Sequence, residues 1–536
     1  MKSPCMFIHL RTISVSFVLL LLCACEWQGQ LKKTGIVYCI DSQPAHYNPQ
    51  LESINDSVAI SSRHLFDRLV DIDPISIEVI PAIAKSWEEL DKGRLYRFWL
   101  RDDVEFHHQS YFTPSRKLNA SDVVFSFKRV LQHRHPFYAV SGGNYPFFNA
   151  SRFRDNILEV REGPDGSVEF ELVQADSAFL DSLGSEFAVI HSAEYAQLLL
   201  DQDQIEQIDL APVGTGPYKF KNQRIGTVVR YQSHDQYWKS PAKLQNLVFD
   251  ITPQTHIRMA KLLTGQCDVL AAPSSNQLSV LSNRDDIVVS VQNGISVSYL
   301  AFNTTRAPFD SLSNREALSH LIQTDRILDS VYRNLATAAD NVLASTSWAY
   351  SPQPSVKSIR HPLNAAAIER PLVLWTLNEA RDFTPQPQKL AELIANDLRL
   401  GDIELSVESY DWNTLQRKIA EDPSYDLLLI GWSSQSNDPE YFFRQQFSCA
   451  AVSKGSNFAQ WCDPGFDHLL NQASSAQTFS QRIRYYHQLQ AYLGKNMPVM
   501  PLAHSLRIYA YREDLQGIQM HPFGNASFKN AQRISQ

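Results

Sequence analysis

The leading segment constrains this chain most. Lys2 and Arg11 carry positive charge ahead of and beside the run Ile13 to Leu22, which reads ISVSFVLLLL. About ten nearly uncharged residues match the core of an export signal and fall well short of the roughly 20 that a spanning helix needs. No later stretch approaches about 18 consecutive apolar residues. The rest of the chain is therefore expected to fold as a water-facing body after export. Its 536 residues suggest about three or four domain-sized units, ample for large cores. Apolar residues at 44% and charged residues at 20% exclude a disordered or collagen-like chain. With 49 Lys+Arg against 57 Asp+Glu, the formal charge is −8. Such a balance gives no electrostatic reason to bind nucleic acid.

The hydrophobic run closes on Leu22-Cys23-Ala24-Cys25. A bulky aliphatic residue, small residues and then Cys is the pattern of a bacterial lipobox. The small residues fit the peptidase, and the Cys25 thiol accepts diacylglycerol. This reading gives a signal over 1–24, a tether over 25–34 and a body anchored by lipid; ordinary cleavage with Cys25 incidental is the alternative. Cys5 and Cys23 fall in the signal, leaving Cys39, Cys267, Cys449 and Cys462. An oxidising compartment favours disulfides. Four cysteines allow three pairings, and the sequence alone does not choose. Cys449 and Cys462 would close a natural small loop, leaving Cys39 and Cys267 as a long-range staple. Zinc is the competing use, but no C-x-x-C spacing supports it.

Along the body, Ile36 to Ile40 reads as a first strand. Asp91-Lys92-Gly93 is a turn signal before a strand over Leu95 to Leu100. Leu118-Asn119-Ala120-Ser121-Asp122 opens an amphipathic helix whose buried stripe is Val123, Val124, Phe127 and Val130. Val168 to Val173 alternates like a strand. Ala391 to Leu400 is expected to be helical, and Ile403 to Val407 and Tyr425 to Gly431 to be strands. Helices alternating with strands imply α/β layering. Ser351 to Arg370 is the most loop-like stretch, and no internal repeat is evident.

Enzyme signatures are missing. There is no G-x-S-x-G elbow, P-loop or H-E-x-x-H. Gly214-Thr215-Gly216 is followed by Pro217-Tyr218-Lys219, which opens a strand rather than a dinucleotide-binding helix. His107-His108 and His133-x-His135 read as surface histidines, since neighbours on a strand face opposite ways. No catalytic residue, cofactor or metal site is assigned.

Several blocks in order resemble the extracytoplasmic solute-binding proteins that serve peptide and nickel ABC importers. They are Pro81-Ala82-Ile83-Ala84-Lys85-Ser86-Trp87-Glu88, Leu118 to Phe125, Pro212-Val213-Gly214-Thr215-Gly216-Pro217-Tyr218, Tyr299 to Thr304, Gly431-Trp432, Asn437-Asp438-Pro439 and Pro498 to Leu502. Gly455-Ser456-Asn457, Trp461-Cys462-Asp463-Pro464 and Phe523 to Phe528 resemble the SapA branch, beside the dipeptide-binding branch. The resemblance implies an α/β, two-lobed periplasmic-binding-protein fold (type II, large peptide-binding subclass) with a hinge between lobes. The lobes would be 31–293 plus 506–536 and 294–505, with crossings at Ser296 to Asn303 and Pro498 to His504. It also implies the pairs Cys39–Cys267 and Cys449–Cys462. The lipobox departs from the plain secretory signal of that branch.

The resemblance further implies a ligand cleft. Arg381 matches an arginine that pairs with a peptide carboxylate; a solvated Arg381 paired with Asp382 or Glu379 is the alternative. At the position of the aspartate that pairs with the peptide ammonium stands Gln435, which cannot balance a buried cation. Asp438 is a candidate substitute, against the simpler role of capping a turn before Pro439. Trp432 either stacks on ligand or fills the hinge. The function implied is the receptor of a peptide ABC importer in the periplasm of a Gram-negative bacterium. It would be a monomer that hands peptides, with cationic antimicrobial peptides or haem as further ligands, to permease and ATPase subunits. The alternative is a lipid-anchored interaction protein that kept the fold without transport.

Overall fold

The computed structural model describes residues 34–51, 56–73, 76, 78–150, 153–271, 273–352, 368, 370–433, 438–454, 456–520 and 526–534. The leader with Cys25, most of the Pro-containing stretch before Arg370, and Gln435 lie outside the described residues.

One large mixed sheet organises the chain. Its strands are β1 (Gly35–Ile40), β2 (Tyr218–Arg224), β3 (Val228–Ser233), β4 (Asn246–Ile251), β5 (Val269–Ala271), β6 (Ile287–Asn293), β7 (Ser296–Phe302), β8 (Ala336–Ala338), β9 (Leu372–Leu377), β10 (Leu405–Tyr410), β11 (Leu427–Ser433) and β12 (Val499–Arg512). They run in the order β10-β9-β11-β7-β12-β5-β1-β4-β3-β2, with β6 and β8 also paired to β12. The helices used below are α1 (Ala120–Leu131), α2 (Phe179–Leu183), α3 (Pro387–Leu400), α4 (Trp412–Glu421), α5 (Pro439–Phe447), α6 (Pro464–Ser474) and α7 (Phe479–Asn496).

Strand β1 is apolar because it is parallel to both neighbours, β4 and β5, and covered on both faces. The expected helix near Leu118 is α1. Asn119 caps it, and Asp122 returns a bond to the Asn119 backbone N–H, a reciprocal capping box. Val123, Phe127 and Val130 are buried as expected, while Val124 is half-buried and Ser126 and Arg129 take its place on the inner face. Arg129 can be there because it pairs with the equally buried Asp209 at 3.1 Å. A separate four-stranded sheet (84–90, 95–100, 168–172 and 157–162, in order of 84–90, 95–100, 168–172, 157–162) packs under α1.

Strand β12 changes partners midway. Its residues up to Ser505 pair with β7 and β8, and from Leu506 onward with β6 and β5. The other passage between these two neighbourhoods is the short link from β6 to β7. There Gly294 runs so close to β12 that a Cβ would lie 2.3 Å from the Ser505 carbonyl oxygen, which only glycine avoids. The His504 ring ties the two passages, Nδ1 lying 3.1 Å from the Ser296 carbonyl. Burial pushes its pKa down, keeping the ring neutral. Among the described residues, no apolar core cluster mixes side chains from 294–505 with side chains from outside that range. Two separately packed bodies thus meet through two strand passages, the architecture of a two-lobed α/β protein.

Candidate ligand-binding site

Parallel strands β9, β10 and β11 lie side by side, β9 in the middle. In open α/β sheets, ligands sit beyond the carboxyl ends of such strands. The candidate residues emerge there. Arg381 follows β9, Trp412 follows β10 as the first residue of α4, and Trp432 is near the end of β11.

The loop after β9 is pinned from below. Phe383 is buried against the second-body core, and Gly431 makes room for it: a Cβ there would lie 2.5 Å from the Phe383 ring. The Tyr332 hydroxyl donates to the Phe383 carbonyl at 3.0 Å. Arg381 and Thr384 exchange backbone bonds of 2.9 Å, closing a tight loop. This brings Arg381 to the same strand end as Trp432. The Arg381 side chain stays 39% exposed. Its guanidinium pairs with Glu379 and lies 5.2 Å from the centre of the Trp412 ring. A planar cation resting on an indole face is held in orientation.

Trp432 is half-buried, with Tyr441 at 5.8 Å and Phe442 at 6.3 Å between ring centres. It sits opposite Val297, one residue beyond Ser296 at the strand passage, so it belongs to the hinge as well as to the strand end.

Asp438 is buried, 1% exposed. Its side chain accepts from the Glu440 N–H at 2.8 Å and so caps α5, with Pro439 at the first helical position. The Tyr486 hydroxyl donates to it at 2.7 Å, and Arg482 pairs with it. The sequence pattern Asn437-Asp438-Pro439 signalled the cap; Arg482 and Tyr486, some 45 residues on along α7, carried no signal in the sequence. Of the partners of Arg381, Glu379 is one of the two the sequence offered, while Trp412 carried no signal.

His107 is fully buried rather than at the surface. Its Nε2 lies 2.9 Å from the Gly216 carbonyl, and the His234 ring stands edge-on at 4.9 Å. Burial drives the His107 pKa well down. It serves the Gly214-Thr215-Gly216 segment, whose Thr215 hydroxyl donates to buried Asp67 at 3.0 Å, alongside Tyr237 and the Trp238 indole N–H at 2.9 Å each. His108, its neighbour, is exposed.

Cys39 and Cys267 face each other with Cα atoms 5.9 Å apart, and Cys449 and Cys462 with Cα atoms 4.4 Å apart. Asp250 approaches the first pair, 3.7 Å from the Cys39 sulfur, but its carboxylate is taken by the Lys261 ammonium at 2.6 Å.

The model of bacterial extracellular solute-binding proteins, family 5 (middle), matches residues 78–454. The chain belongs to that family. It is 39% identical over 511 residues to the peptide transport periplasmic protein SapA of Salmonella typhimurium, covering 94% of this chain and 93% of that one. Among solved structures, a dipeptide binding protein from Pseudoalteromonas sp. SM9913 in complex with Met-Leu superposes with a TM-score of 0.81 at 37% identity, covering 93% of this chain and all of that one. HbpA2 from Haemophilus parasuis gives a TM-score of 0.84 at 30% identity over 93% of this chain and all of that one. The family 5 fold expected from the ordered blocks is thus the fold found.

Proposed function

We propose that this family 5 protein is the substrate-binding receptor of a peptide ABC importer, taking peptides in the cleft between its lobes and passing them unchanged to a membrane permease driven by ATPase subunits. The observation that carries the reading is the full-length likeness to a peptide-transport protein and a dipeptide-bound relative, together with an oriented arginine at the carboxyl ends of three parallel strands. The lobes are 31–293 plus 506–536 and 294–505; the change of partners along β12 and the segregation of the apolar clusters support these limits.

In this reading Arg381 exchanges Glu379 for the ligand carboxylate, and a guanidinium fork accepts that group through two parallel bonds. Trp432 walls the cleft. Gln435 offers hydrogen bonds without charge to the ligand's amino end, which tilts the site away from tight capture of free-amine dipeptides. Asp438 caps α5 and is held by Arg482 and Tyr486. The periplasm is the compartment, as for the curated relatives. There the protein acts as a monomer, tethered through lipid on Cys25 and stapled by Cys39–Cys267 and Cys449–Cys462 disulfides.

Mass spectrometry of whatever co-purifies with the gently isolated protein tests the reading. Peptides are expected; a consistently different class of small molecule, or none under conditions that retain ligand in the dipeptide-binding relatives, contradicts it. Palmitate labelling that is lost in Cys25→Ser is the expected result for the tether.

A further inference from the structure

The ligand residues above do not account for a second place where the two bodies touch. Ser177, in the loop before α2, lies in the first body. Its backbone N–H donates to the Ser474 carbonyl at 3.0 Å, and its hydroxyl donates to the Ala473 carbonyl at 3.2 Å. Both acceptors belong to the last turn of α6 in the second body. The final carbonyls of a helix have no partner within it and carry the negative end of its dipole. Here one residue caps the Ser474 carbonyl from across the gap and adds a bond to the Ala473 carbonyl, which also accepts from the Ala476 N–H at 3.3 Å.

The segment that presents Ser177 is shaped for it. The Asp176 side chain accepts from the Ala178 N–H at 3.0 Å, which folds the chain tightly around Ser177. Four residues on, the Asp181 carboxylate comes 3.7 Å from the Arg482 guanidinium of α7. Arg482 is the same side chain that holds Asp438, and it rests 5.1 Å from the centre of the Trp348 ring. A third contact joins Phe147 and Tyr441, ring centres 5.8 Å apart, with Trp432 behind Tyr441.

We infer that the segment Asp176 to Asp181 is a closure latch: it caps the carboxyl end of α6 from the opposite lobe and thereby adds to the stability of the closed form without touching the ligand. The latch rests on the receptor reading, because it matters only if the lobes open and close. Arg482 spans from the latch to Asp438, the cap of α5. The buried Asp181–Arg482 pair contributes orientation; because desolvation offsets much of its attraction, the two hydrogen bonds of Ser177 are the closing contact.

The test uses the full-length protein and the dipeptide Met-Leu as probe. Ser177→Asp puts a negative charge against the helix carbonyls, whereas Ser177→Asn is similar in size and still donates. Calorimetry and dissociation kinetics are expected to show at least tenfold weaker binding and faster release for S177D, binding within threefold of the parent for S177N, and parental melting for both. Equal affinity and release for S177D and the parent would overturn the latch and leave the receptor reading intact. A second arm needs no ligand: in hydrogen-exchange mass spectrometry the segment around Ser177, whose N–H is held by the Ser474 carbonyl, is expected to exchange faster in S177D than in the parent, and equal exchange overturns the latch. If the parent does not bind Met-Leu, hydrogen exchange still decides the latch.

Discussion

Arg381 and Arg482 each hold a carboxylate, in opposite surroundings. The Arg381 side chain is 39% exposed and its partner Glu379 is 45% exposed. Arg482 is 8% exposed and Asp438 only 1%. An exposed pair of this kind is worth about 0–1 kcal/mol and is readily exchanged. A buried pair gives little net stability, yet removing one partner strands a charge in the interior. The difference separates two jobs. The Arg381–Glu379 pair can open without cost to the fold, as the proposed function requires; Asp438 cannot release Arg482, Tyr486 and its helix cap without disturbing the fold. Of the two acidic-anchor ideas raised by the sequence, the capping role of Asp438 is the one its contacts describe.

The largest expected effect attacks the buried side. Asp438→Ala should cost about 3–5 kcal/mol in urea unfolding, since it leaves Arg482 unbalanced and α5 uncapped; a loss below about 1 kcal/mol would show the pair to be ordinary surface chemistry. On the exposed side, Arg381→Ala should leave unfolding nearly unchanged but weaken any carboxylate ligand by about tenfold or more, as expected for loss of a charge-assisted fork. Unchanged affinity in calorimetry would remove Arg381 from the site. Gln435→Asp should raise the affinity for free-amine dipeptides by about fivefold by supplying the missing countercharge, and no gain on titration would mean that position does not face the ligand. The smallest effect is expected from Glu379→Gln. Freeing Arg381 from its surface partner should tighten carboxylate binding by about twofold to threefold at low salt, with the gain disappearing as ionic strength rises; a gain that survives high salt would mean the pair is less exposed than it is drawn.

Local elements were legible where the chemistry is local. Asn119 and Asp122 announce the start of α1, and Leu95 to Leu100 became a strand over the same residues. The strand expected at Tyr425 to Gly431 instead runs Leu427–Ser433, because Tyr425 points its hydroxyl to the Phe458 carbonyl at 2.7 Å and precedes the ladder. Ile403 to Val407 likewise shifts to Leu405–Tyr410, set by its register with β9. What the sequence did not disclose is tertiary. His107 reads as a polar surface residue until Gly216 and His234 enclose it. Ser177 is an unremarkable serine until the end of α6, 296 residues away, is laid against it. A ligand role for Arg381 came only through resemblance; its surface partner Glu379 was one of the two named from the sequence, whereas its indole support, Trp412, comes from a neighbouring strand end.

Closure of two lobes over a peptide at Arg381 is the core of the proposed function. Small-angle X-ray scattering of the purified protein titrated with Met-Leu and with longer peptides tests it most directly. The expected result is a saturable fall in the radius of gyration that tracks calorimetric binding and is lost in Arg381→Ala, with the peptide recovered intact. Binding without any change in the scattering profile, or recovery of a cleaved peptide, would contradict it.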